Sequence, residues 1–163
     1  MVITFFGHVD FMGTKEHEEY VLALLRRLAR KDPMHFFLGG HGSFDEFAYD
    51  CCKKFQEEHE RSFLWLVSPY PPNQYSPIHM KLLKEKYDGI MHPPLEGVPL
   101  PKALKQRNRW MIDRSHFSFA YVEREFGDAY EAYQYARETG RPILNLAHLA
   151  VPRPSGEEPP SRP

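Results

Sequence analysis

Cysteine is nearly missing from this chain: two residues in 163, and they are neighbours, Cys51 and Cys52. Adjacent Cα atoms lie closer together than an ordinary disulfide requires. A disulfide-built scaffold is therefore excluded, and the pair reads as two small buried apolar side chains in a reducing compartment. No apolar run approaches the length that crosses a bilayer, and residues 1–7 have neither the basic region nor the length of a signal peptide, so the expectation is a soluble cytoplasmic protein with no membrane partner. Charge of one sign is also lacking. The formal net charge is -1 and the sequence pI is about 6.8, which leaves no overall basic field and puts nucleic acid low among the expected partners. Nor do familiar catalytic or ligand signatures occur. There is no His-Glu-x-x-His or Cys/His ligand spacing, so no metal is expected, and no cofactor is assigned. There is no G-x-S-x-G elbow, P-loop or G-x-G-x-x-G fingerprint.

What is present is the composition of a globular domain, 42% hydrophobic and 26% charged, in one domain's length of chain. Strand-like and helix-like stretches alternate. Val2 to Phe6, Met34 to Leu38, Ser62 to Val67, Phe117 to Val122 and Pro142 to Leu146 are short, β-branched or aromatic runs bounded by turn residues. Between them fall helical patterns over Thr14 to Arg30, Ser43 to about Phe55, Ile78 to Lys86, Lys102 to Arg114 and Asp128 to Glu138. Thr14 suits an N-cap, Ser43 with Glu46 suits a capping box, and Gly140 suits a C-cap. Residues 88–101 are rich in Pro and Gly and read as irregular, and residues 151–163 as a disordered tail. The pattern implies a single α/β domain over residues 1–150, a Rossmann-like three-layer sandwich with a mainly parallel sheet. Sheets of this kind bind ligands beyond the carboxyl ends of their strands.

Three turns follow strands at such ends: Gly7-His8, Gly39-Gly40-His41-Gly42-Ser43, and Gly127-Asp128-Ala129. The second and third lead into helices, whose first N–H groups and positive dipole ends suit an anion. Asp45 lies in a first helical turn, where it either accepts from a ribose hydroxyl or serves only the helix dipole. In the helix from Lys102, Arg107 and Asn108 fall among apolar neighbours at spacings of three and four, beside Ala103, Leu104, Met111 and Ile112. A buried guanidinium needs an anionic partner, either a protein carboxylate or a ligand phosphate.

These same segments resemble the SLOG superfamily, the Rossmann-like group joining DprA and LOG proteins, and within it the small YpsA-type branch. The resemblance rests on Phe5-Phe6-Gly7-His8, on residues 37–45, on Arg107 through Ser115, and on Gly127-Asp128-Ala129-Tyr130 with Tyr135-Ala136. It implies a nucleotide or nucleotide-derived ligand and a role as a sensor. LOG proteins are phosphoribohydrolases of nucleoside monophosphates. The resemblance to them puts Arg107 at a catalytic Arg, Asn108 where they have Lys, and Glu131 at a catalytic Glu. The expectations are therefore ligand contacts from Gly7, His8, Gly39, Gly40, His41, Gly42, Ser43, Asp45, Arg107, Asn108, Gly127, Asp128 and Ala129. Hydrolysis of an N-glycosidic bond by Arg107 and Glu131 is the alternative, DprA-like DNA binding stands last, and related LOG proteins suggest a homodimer or higher homo-oligomer.

Overall fold

The computed structural model describes residues 1–149; the expected tail from residue 151 lies outside the described residues. Six strands form one sheet: β1 (Val2–Gly7), β2 (Met34–Leu38), β3 (Ser62–Val67), β4 (Gly89–Met91), β5 (Phe117–Tyr121) and β6 (Ile143–Asn145). Their order is β4-β3-β2-β1-β5-β6, and every neighbouring pair is parallel. Five α-helices connect them: α1 (Lys15–Leu28), α2 (Ser43–Glu58), α3 (Pro77–Lys86), α4 (Leu100–Asp113) and α5 (Asp128–Glu138).

Alternation along the strands sorts side chains to two faces. Ile3 and Phe5 of β1, with Phe36 and Leu38 of β2, join Val21 and Leu25 of α1 and Phe44, Ala48, Cys51, Cys52 and Phe55 of α2 in the larger core. Phe6 turns to the opposite face, against Ile112 of α4 and Ala129, Ala132 and Ala136 of α5. Three alanines on α5 let that helix approach the sheet closely. The architecture is the expected α/β sandwich of three layers.

Several local details differ from the sequence reading. Ser43 does not cap α2. The N-cap is Gly42, at φ 90° and ψ 175°, and it lets the chain pass so close to Val9 that a Cβ would sit 2.7 Å from the Val9 Cα. The Ser43 hydroxyl instead donates to the carbonyls of Val9 and Phe11, tying α2 to the loop after β1. A capping box forms at α1, where Thr14 Oγ1 accepts from the His17 amide and His17 Nδ1 accepts from the Thr14 amide. Histidine in place of Glu hid it. Within the stretch read as irregular, β4 completes the sheet edge. Its three residues are too few to show a period, and Gly89 is there because a Cβ would meet the Trp65 ring at 2.4 Å. Gly140 at φ 67° closes α5 as expected, with its amide on the Arg137 carbonyl and the Arg141 amide on that of Ala136, a Schellman pair.

Candidate functional site

Strand order reverses between β1 and β5, so the connections leaving their carboxyl ends diverge and a crevice opens there. A cleft of about 230 Å³ occupies this position. Residues after β1 (Gly7, His8, Val9), after β2 (Gly39, His41, Asp45), from α4 (Leu104, Arg107, Asn108, Met111) and after β5 (Arg124, Phe126, Gly127, Asp128, Ala129) line it.

Arg107 is brought here by the helical period of α4, which points Ala103, Arg107 and Met111 inward on one stripe. It is 5% exposed. Its Nη1 donates to the carbonyls of Gly39 (2.9 Å) and Val67 (3.1 Å), and its Nε to Asn108 Oδ1 (3.0 Å). Among the described residues Nη2 has no hydrogen-bond partner and Arg107 has no ion-pair partner. Burial lowers its pKa, and nearby Asp45 opposes that. Asp45 is buried as well, and its Oδ2 accepts from the His41 amide at 2.7 Å. Loss of solvent raises its pKa to about 6, with Arg107 pulling the other way. The two side chains flank Gly39: a Cβ there would meet Arg107 Nη1 at 2.8 Å and Asp45 Oδ2 at 2.9 Å.

The helix N-termini differ. At α2 the Ser43 amide is taken by the Val9 carbonyl. At α5 the cap residue Gly127, φ 91° and ψ 176°, carries no side chain, and among the described residues the amides of Asp128, Ala129 and Tyr130 are unclaimed. That end therefore offers N–H groups and a dipole to the cleft, with the Asp128 carboxylate beside them. The loop leading to it is pinned twice. His8 Nε2 accepts from the amides of Glu123 (3.0 Å) and Arg124 (3.2 Å), and Asn145 bonds both backbone groups of Val122. Burial and the Arg124 charge lower the pKa of His8, which keeps Nε2 free to accept.

The expected site residues thus separate into two sets. Gly7, His8, Gly39, His41, Asp45, Arg107, Asn108, Gly127, Asp128 and Ala129 meet at the cleft. Gly40, Gly42 and Ser43 lie outside its lining. Gly40, at φ 67°, turns the chain over Leu66, and Gly42 and Ser43 hold the β1 loop. Glu131 is also outside: it pairs with Lys105 at 2.9 Å on the surface between α4 and α5. The lining also holds residues outside the expected site set, Arg124 and the turn residue Phe126 among them. Arg124 forms a bidentate pair with Asp10, both bonds 2.7 Å, and Phe126 is 69% exposed at the lip.

Fold and cleft together define a Rossmann-like α/β protein with a crevice at its topological switch point. No family model and no curated protein matches the chain. Among solved structures it resembles DNA processing protein A from Helicobacter pylori, with a TM-score of 0.57 and 18% identity, over 88% of this chain and 63% of that one. That structure concerns a single-stranded DNA binding mode. It also resembles DprA from Streptococcus pneumoniae, with a TM-score of 0.60 and 14% identity, over 86% of this chain and 48% of that one. The chain spans less than two thirds of either protein. At these identities the likeness establishes the Rossmann-like fold.

Proposed function

We propose that this protein binds a nucleotide or nucleotide-derived ligand in the switch-point cleft, with the ligand phosphate between Arg107 and the N-terminus of α5. The carrying observation is the buried Arg107 guanidinium, which is 5% exposed, lacks an ion-pair partner among the described residues and has Nη2 unclaimed. A buried cation is costly unless something anionic completes its surroundings, and Asp45 does so only at a distance. Phosphate fits both the guanidinium edge and the three free amides. Asn108 lines the cleft beside Arg107, and Asp45 retains Oδ1 for a sugar hydroxyl. We propose further that the chain belongs to the YpsA-type branch of the SLOG superfamily, a reading supported by the resemblance carried by residues 37–45 and 107–115.

Isothermal titration with nucleoside monophosphates, cyclic nucleotides and ADP-ribose tests this reading. Binding to the wild type, weakened about ten- to a hundredfold in Arg107→Lys, is the expected result for a charge-assisted bond whose geometry is lost. No heat at millimolar ligand, from protein shown by circular dichroism to be folded, sinks it. A second reading, single-stranded DNA at the same cleft, is favoured by the likeness to the Helicobacter pylori protein. A gel shift that weakens with salt would select it. The pair assigned to hydrolysis is not brought together, because Glu131 pairs with Lys105 outside the lining that holds Arg107.

A further inference from the structure

The cleft is polar at its floor and apolar at its rim. Phe126 lines it with 69% of its surface exposed and belongs to no hydrophobic cluster among the described residues. Its one ring contact among those residues is with the Arg124 guanidinium, 5.7 Å from the ring centre. Val9, 55% exposed, adds a second apolar patch on the lining. A single exposed Phe ordinarily needs no explanation. This one sits directly before Gly127, next to the open end of α5, on a loop anchored through His8 and Asn145.

The charge around the cleft is also informative. Apart from histidine, the charged lining residues are Arg107, Arg124, Asp45 and Asp128, two of each sign. Both terminal nitrogens of Arg124 donate to Asp10, and its buried Nε has no hydrogen-bond partner among the described residues. Arg124 is thus ion-paired with Asp10, which leaves Arg107 as the lining guanidinium without an ion-pair partner among the described residues, while two carboxylates repel further negative charge.

We infer that Phe126 is the stacking platform for the base of the bound nucleotide and that the cleft accepts one phosphate group rather than a di- or triphosphate. This rests on the phosphate placement proposed above. The shared chemistry is a base carried one sugar away from a singly phosphorylated position. A free mononucleotide and a phosphodiester in a single strand both have it.

The test is a set of titrations of wild type, Phe126→Ala, Phe126→Trp and Arg107→Lys with AMP, ribose 5-phosphate, ATP and an oligo-dT strand. Stacking on an aromatic side chain is worth about 1–3 kcal/mol per base, so Phe126→Ala should weaken AMP about 5- to 150-fold. Ribose 5-phosphate should change by less than about twofold, Phe126→Trp should retain AMP affinity, and ATP should bind about tenfold or more weakly than AMP. Tighter binding of oligo-dT than of AMP, with the same dependence on Phe126, identifies a strand as the source and supports the platform. Equal losses for AMP and ribose 5-phosphate in Phe126→Ala, or no loss for AMP, overturn the stacking role. ATP binding as tightly as AMP overturns the single-phosphate limit. Failure of the phosphate reading looks different: Arg107→Lys would then bind every ligand as the wild type does, or the wild type would bind none.

Discussion

At the scale of single residues, the centre of the site is a crowded triangle of Arg107, Asp45 and Gly39. Gly39→Ala would push a methyl between two buried charged groups that already stand within 2.9 Å of that point. We expect a loss of about 1–3 kcal/mol in urea unfolding together with loss of ligand binding, since the Arg107 bond to the Gly39 carbonyl must shift. Asp45 makes a separate prediction. Its carboxyl is harder to ionise when folded, near 6, than at its ordinary 3.8. Its stabilising contribution is therefore complete below about 3.8 and is lost as pH rises through about 6. Asp45→Asn cannot ionise. The stability of the wild type relative to this variant should fall by on the order of 2–3 kcal/mol across that window. A difference that stays flat across it would show that Asp45 is not desolvated in the protein.

Among the elements, α5 bears the argument. Its N-cap Gly127 adopts the same backbone conformation as Gly42 at α2, φ 91° and ψ 176° against φ 90° and ψ 175°, in a region that only glycine occupies readily. Nothing lies within 4 Å of a Cβ at Gly127. Gly127→Ala therefore costs only backbone strain, about 1–3 kcal/mol, and should also tilt the free amides and weaken phosphate binding. Urea denaturation and titration with AMP measure the two effects. At α2 the same conformation serves packing, since Gly42 lies against Val9 and the Ser43 amide is paired with the Val9 carbonyl. The presence of a glycine turn was legible at both positions, but which helix end stays open was not. That depended on Val9, a residue 34 positions before Ser43 in the chain.

For the molecule as a whole, one sheet with helices on both faces buries both cysteines completely. Burial pushes the Cys51 thiol up to about 12 and Cys52 well above its ordinary value. The thiolate is the reactive form, so neither should react with a thiol reagent in the native state. Both should become reactive together as the domain unfolds in urea; early labelling of either alone would contradict a single core around α2. No helix of the described residues is long and apolar enough to cross a membrane.

The order of strands and helices, the inward stripe of α4 with its anomalous Arg107, and the glycine turns were all determined by the sequence itself, because the periods of 3.6 and 2 and the steric freedom of glycine are local properties. Only the tertiary structure decided the rest. Parallel pairing put β1 beside β5 and so set the cleft between turns more than a hundred residues apart. It buried Asp45 while leaving Glu131 to Lys105, made Ser43 a tether instead of a cap, and drew the three residues of β4 onto the sheet edge. Each of these depends on which distant group lies within a few ångströms, and desolvation and hydrogen bonding act only at that range.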